Sequence, residues 1–267
     1  MWSKLWKEAK ARGVFGGRVG EAVTHAELEA LPPAARRTFE FFDVCEGTPK
    51  HASFRVGWTG RFRLDPDADW MPVQAVQINT RTPIARIFHM KARVKHIVPV
   101  LSRDTYVGGH GRMVATVAGL VTLADGRGPE FDRGELVTWL DDAVFFAPTM
   151  LLGHEVVFGD AGADAFDLEL RDRGVVVRAR VTVDDRGAPI DFETSDRYVA
   201  DPYDPTHALV RARWHMPVDA WRTDGRLIPS RGHATWSLPR GEFEYADFEP
   251  VPETLHFDIA SRTTGAA

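Results

Sequence analysis

The sequence predicts a mainly β (α+β) fold: a single curved antiparallel sheet or half-barrel, with an internal helix and N-terminal helices packed on its concave face. Three observations carry this expectation. Apolar and polar residues alternate with period two in run after run from residue 54 onward. Stretches rich in Asp, Gly and Pro separate the runs and supply turns. Only one long helical stretch interrupts them, whereas a parallel α/β fold needs a helix after nearly every strand.

The chain opens with Trp2, Leu5, Trp6 and Ala9 at helical spacing among Lys4, Lys7, Lys10 and Arg12, a short amphipathic helix. Such a helix either docks its tryptophans on the fold or lies at a membrane interface through Trp2, Leu5 and Trp6. Gly13, Gly16, Gly17 and Gly20 form a flexible joint. Thr24 and Glu27 have capping-box spacing, so a helix starts there. Pro32 and Pro33 end it, and Pro33 opens a further helix running to about Asp43.

The first alternating run places Phe54, Val56, Trp58, Phe62 and Leu64 on one face and Arg55, Thr59, Arg61 and Arg63 on the other. That pattern is a half-buried antiparallel strand. The pattern recurs at Phe88, Met90, Ala92 and Val94 against His89, Lys91, Arg93 and Lys95, at Met113, Ala115, Val117, Val121 and Leu123, and at Val175, Val177, Ala179, Val181 and Val183. Turns are expected at Asp-Pro, Ala-Asp-Gly-Arg-Gly and Asp-Asp-Arg-Gly stretches. Leu136, Leu140, Ala143, Val144 and Ala147 fall on one helical face between Gly134 and Pro148 and mark the internal helix. The expected organisation is an amphipathic helix and joint over 1–23, one β-rich domain over 24–258 and a disordered tail over 259–267.

With 38 acidic and 33 basic residues interspersed, the net charge of −5 gives no field for nucleic acid, which is excluded as a partner. Cys45 is the single cysteine, so neither a disulfide nor a thiolate metal site is available and a reducing, cytoplasmic setting fits. No secretory signal and no membrane-spanning stretch is read. The ten histidines lack helical zinc spacing; His89 and His96, seven apart on a strand, point to opposite faces. Neither a metal nor a cofactor is therefore expected.

The run Val107-Gly108-Gly109-His110-Gly111 lacks the Gly-Lys-Ser/Thr ending of a phosphate loop and precedes a strand, so it is a hairpin turn, with His110 at its tip able to face the cup. Polar residues in apolar surroundings are the stronger signal: Gln77, Asp104 with Tyr106, Asp141 and Asp142 on the internal helix, and Arg197. A carboxylate on a helix packed into a sheet must be paired or titrate upward, and Arg197 is a candidate partner for Asp142. Such a pair is either a structural salt bridge or part of a site. Trp214, Trp236 and Tyr245 either line an apolar pocket or fill the core.

Several stretches together resemble a bacterial family catalogued only as a domain of unknown function, of the DUF6544/DUF6920 kind. They are Leu31-Pro32 before Arg36-Arg37, Gly60-Arg61-Phe62-Arg63 with Trp70 to Gln77, Asp104-Thr105-Tyr106 with Gly109 to Met113, Gly134-Glu135-Leu136 with Leu140, Asp142 and Pro148, and Gly225 to Pro229 with Trp236 and Tyr245. The resemblance runs from about Leu31 to about Phe248. It implies an open curved sheet analogous to lipoprotein-carrier folds and lends no activity. Two functions are expected from the cup. One is a carrier of an apolar or amphipathic small molecule or lipid, with Gln77, Tyr106, Trp214, Trp236 and Tyr245 as its contacts. The other is a cofactor-independent isomerase, cyclase or hydrolase, with His110, Asp104, Asp142 and Arg197 as its polar machinery.

Overall fold

The computed structural model describes residues 1–14, 21–94, 97–153, 155–204, 206, 208–223 and 227–259. Gly16, Gly17 and Gly20 of the expected joint, Lys95, His96, Gly225, Arg226 and the tail beyond Ile259 lie outside them.

Three helices lead in: α1 (Trp2–Ala11), α2 (His25–Glu29) and α3 (Pro33–Phe41). The start of α2 is the predicted capping box, in which Thr24 Oγ1 accepts from the Glu27 amide and Glu27 Oε2 accepts from the Thr24 amide. Pro33 occupies the first turn of α3, where a missing N–H costs nothing.

The strands are β1 (Ser53–Phe62), β2 (Met71–Thr80), β3 (Ala85–Val94), β4 (Val98–Val107), β5 (His110–Val117), β6 (Val121–Arg127), β7 (Val156–Asp160), β8 (Ala165–Asp172), β9 (Val175–Val183), β10 (Pro189–Ala200), β11 (Leu209–His215), β12 (Trp221–Arg222), β13 (Ile228–Pro229), β14 (Gly232–Leu238) and β15 (Gly241–Phe257). Among the described residues, thirteen of them form one curled antiparallel half-barrel in the order β6-β5-β4-β3-β2-β1-β15-β14-β11-β10-β9-β8-β7, and β12 pairs with β13 apart from it. Because β6 and β7 are the two ends of the sheet, the chain between them must cross the whole concavity. The crossing element is α4 (Pro129–Phe146).

This position explains why α4 is buried nearly all round from Gly134 to Phe146. Leu136, Leu140, Ala143 and Val144 join Phe54, Phe166, Leu168, Val177 and Val181 in the main core. Helix α3 packs on the same face, with Phe39 edge-on to Phe158 of β7. The helix α4 starts five residues before the expected Gly134, with Pro129 at its head.

Three expectations are corrected by the structure. Helix α1 does not line the concave face. In β2, Gln77 and Asn79 face α4, so Val76 and Ile78 face outward, and it is these with Ala85 and Ile87 that bury Leu5 and Ala9. The run from Met113 to Leu123 is a hairpin rather than one strand, because Ala118 (φ 51°) and Gly119 (φ 74°) turn left-handed between β5 and β6. The Ala-Asp-Gly-Arg stretch at 124–127 then belongs to β6. The expected hairpin turn at Gly108 and Gly109 is present, both residues having positive φ.

Candidate functional site

The concave face holds a cavity of about 120 Å³ between α4 and the strands β1 to β4, β10, β11, β14 and β15. One wall is aromatic. Trp58 meets Phe146 edge-on at 5.2 Å, Phe248 lies 6.2 Å from Trp58 and 6.4 Å from Phe88, and Phe62 meets Tyr245 at 5.9 Å. Trp58, Phe62 and Phe88 come from the even positions of β1 and β3, the apolar faces legible in the alternation, whereas Tyr245 and Phe248 come from β15 and Phe146 from α4.

The opposite wall is polar and is built on α4. Glu135, Thr138 and Asp142 recur at spacings of three and four, one helical face, and Asp141 stands beside them. From the sheet come Gln77, Arg86, Asp104 and Arg197. A continuous hydrogen-bond chain ties the two walls. Trp58 Nε1 donates to Gln77 Oε1 (2.9 Å), Gln77 Nε2 to Asn79 Oδ1 (3.1 Å) and Asn79 Nδ2 to Asp142 Oδ2 (3.0 Å). Arg86 then donates through Nε to Asp142 Oδ2 (2.7 Å) and through Nη1 to Glu135 Oε2 (3.2 Å). Paired throughout, this buried chain holds its members in one geometry.

Four carboxyls, Asp104, Glu135, Asp141 and Asp142, meet only two guanidiniums, Arg86 and Arg197. So many buried like charges cannot all ionise. Burial and the Asp104 carboxylate push Glu135 up to about 7 against the pull of Arg86. Burial and the neighbouring Asp142 raise Asp141 well above the ordinary carboxylate range. Asp104, which borders the cavity and accepts from Ser102 Oγ at 2.9 Å, is also raised, again by burial. Arg86 is held charged, since Asp142 and Glu135 outweigh its own desolvation.

Two buried polar atoms on this wall lack hydrogen-bond partners: Asp141 Oδ1 and Arg197 Nε. The Arg197 guanidinium lies over the Trp214 ring at 4.4 Å and the Trp236 ring at 5.4 Å. Its aim into the cavity depends on a β-bulge. Thr194 and Arg197 oppose Trp214 and Ala212 of β11, three residues against two, so Arg197 takes the inward position that Asp196 would hold in a regular strand.

The expected site residues are thus brought together in part. Gln77, Asp104, Asp142, Arg197, Trp214 and Tyr245 line the cavity. The partner of Asp142 is Arg86 rather than Arg197. His110 is corrected outright: at the tip of the β4–β5 hairpin its side chain is 84% exposed and 3.9 Å from Asp132, away from the cavity wall. Tyr106 is a core residue whose hydroxyl donates to Asp172 at 2.7 Å. Trp236 stands behind the wall, stacked on Tyr245, whose hydroxyl accepts from Trp214 Nε1 at 3.1 Å. Arg86 and Glu135 are the residues that sequence reasoning missed. Each carried a signal, Arg86 as a charge two residues before Phe88 on the apolar face and Glu135 as the residue two helical turns before Asp142.

Among the described residues, one other cluster has ligand-type atoms close together: His233, Glu244 and Asp247. Its atoms are already engaged. Asp247 accepts from Arg61 at 2.8 Å and pairs with Arg231 at 3.4 Å, while His233 Nε2 lies 2.9 Å from Asp219. It is an ion-pair network centred on the buried Asp247 rather than an open set of ligands.

No helix among the described residues is long and apolar enough to cross a membrane. No curated protein matches the chain. Its fold is similar to the crystal structure of a DUF1329 family protein from Desulfovibrio piger, at 12% identity and a TM-score of 0.42 over 92% of this chain and 96% of that one. The model of the family of unknown function DUF6544 matches residues 21–248, a span that holds α4, every strand of the half-barrel up to the middle of β15 and all the polar residues of the cavity, and the chain belongs to that family.

Proposed function

We propose that the protein binds a small amphipathic molecule in the half-barrel, as a carrier or binding protein. One observation carries this reading: a cavity with an aromatic wall faces a polar wall on which two buried atoms, Asp141 Oδ1 and Arg197 Nε, have no hydrogen-bond partner among the described residues. An unsatisfied buried polar atom costs about 1–3 kcal/mol, and a ligand that supplies the missing hydrogen bonds recovers it. The volume of about 120 Å³ is a little under the roughly 150 Å³ of a dry cavity that accommodates benzene, which limits the ligand's apolar part to one small ring or a short chain. The aromatic rings take the apolar part of the ligand and the α4 wall takes its head.

The test is native mass spectrometry of freshly purified protein, followed by solvent extraction and identification of what leaves with it. A stoichiometric amphipathic compound is expected. An apo mass, together with unchanged tryptophan fluorescence across a panel of small amphiphiles, would overturn the reading.

A second reading is a cofactor-independent enzyme, favoured by one feature. Asp104 and Glu135 are carboxyls at the cavity whose proton affinity is raised by burial, as general acid–base chemistry requires. Conversion of the extracted compound by the native protein, lost in Asp104→Asn while binding persists, would select it.

A further inference from the structure

The head group that this cavity selects is legible in its charge balance, on the reading that the cup binds a small amphipathic molecule. Arg86 is committed to Asp142 and Glu135 through two hydrogen bonds. Among the described residues, Arg197 is the one remaining cation on the cavity wall for Asp104 and Asp141, and it acts on Glu135 as well. Two of the four carboxyls therefore lack a guanidinium and are neutralised by retained protons, which a bound cation can replace. An anionic head would add a fifth acid to this cluster. A neutral head would leave the shortfall as it stands.

We infer that the cavity takes a primary or secondary ammonium group, with the cation donating to Asp141 Oδ1 and its apolar substituent lying among Trp58, Phe88, Phe146 and Phe248. Two geometric observations point the same way. Asp141 is 4% exposed, lines the cavity and has an oxygen with no donor, and an ammonium offers three donors and no acceptor. The aromatic faces of this site already receive cations: Arg86 lies 4.8 Å over Phe88 and Arg197 4.4 Å over Trp214. A third cation adds to an arrangement the wall is built for.

Binding a cation also discharges the protons that the crowded carboxyls retain. Asp104, Glu135 and Asp141 hold these protons in a wall shared with Asp142, Arg86 and Arg197. Ammonium binding therefore releases protons, whereas binding of the matching alcohol does not.

The experiment is isothermal titration calorimetry of the full chain with 2-phenylethylammonium, 2-phenylethanol and phenylacetate, in two buffers of different ionisation enthalpy. The amine is expected to bind at least tenfold more tightly than the alcohol, with phenylacetate weakest and with a buffer-dependent heat for the amine alone. In Asp141→Asn the amine should fall to the affinity of the alcohol while the alcohol is unchanged. The buffer comparison uses native protein and so stands even if that variant fails to fold. Equal or tighter binding of the alcohol or phenylacetate overturns the ammonium assignment and leaves the binding cup intact. Absence of binding by all three also overturns it, and the extraction experiment then decides the binding reading separately.

Discussion

Arg86 Nε donates to Asp142 Oδ2 at 2.7 Å with both side chains about 6% exposed, which joins β3 to the C-terminal part of α4 inside the concavity. The pair is held on both sides, by Asn79 at Asp142 and by Glu135 at Arg86. Removing one member of such a buried pair leaves an uncompensated charge, at a cost of about 3–5 kcal/mol. Arg86→Met is therefore expected to lower the unfolding free energy by that amount in urea titration. The double change Arg86→Met with Asp142→Leu should recover most of the loss, because two apolar side chains of similar volume need no partner. A double variant no more stable than Arg86→Met would show that Arg86 acts chiefly on Glu135 and Asp104.

Stability should fall as pH rises from 5 to 8, and Glu135 sets part of that slope. Its carboxyl is raised from 4.5 to about 7 in the folded chain, so between those values the folded state binds the proton that the unfolded state has released. The stabilisation is complete below the unfolded value and lost as pH climbs through the folded one. Arg86, Arg197, Asp104, Asp141 and Asp142 face this group; of these Asp104 and Asp141, whose carboxyls are also raised, share in the slope, and so does His233, whose raised value has the same sign. Melting curves of native protein and Glu135→Gln separate the contributions. The variant should lose several degrees less than native protein between pH 5 and 8, and identical slopes would remove Glu135 from the account.

The alternation that predicts the sheet is legible because one face of each strand is buried and the other solvated, as at Phe88, Met90 and Ala92 against His89, Lys91 and Arg93. What escapes this arithmetic is whatever breaks the period. The bulge at Thr194/Arg197 shifts which residues of β10 face inward, and a left-handed alanine at 118 splits one apparent strand into two. The site was half legible for a related reason. Asp142 and Arg197 stand out as charges among apolar residues, but the pairing of Asp142 with Arg86 depends on how α4 crosses the sheet. That crossing follows from β6 and β7 being the two ends of the sheet, a property of the whole topology rather than of any local pattern.

Two glycines near the start of α4 should respond to alanine with opposite signs. A Cβ on Gly111 would stand 2.0 Å from the Phe131 carbonyl oxygen and 2.7 Å from the Asp132 amide nitrogen, so β5 and the first turn of α4 would have to part. The hydrogen bond from the Gly111 amide to Asp132 Oδ1, 2.7 Å long, would go with them. Gly111→Ala is expected to cost about 1–3 kcal/mol by overpacking. Gly134, inside α4, has nothing within 4 Å of its Cβ position. Gly134→Ala should therefore stabilise by up to about 1 kcal/mol through helix propensity. Thermal melts of the two variants check both signs.

The position of α1 on the outer face separates its stability from the cup. Leu5 is fully buried against Val76, Ile78 and Ile87, and Glu8 holds the helix to the sheet by meeting His89 Nε2 at 2.8 Å and pairing with Arg103 at 3.6 Å. Truncating a rigidly held leucine costs about 2–5 kcal/mol, but a terminal helix can detach instead, which caps the global loss at its docking energy. Leu5→Ala is thus expected to raise amide exchange across 2–11 to that of a free helix while the global transition moves little. Because Val76 and Ile78 point away from the face that carries Gln77, ligand affinity in the cavity should stay within about twofold of native, a difference of roughly 0.4 kcal/mol. A tenfold loss of affinity in Leu5→Ala would mean that the two faces of β2 are coupled through the strand itself, with α1 acting as its clamp.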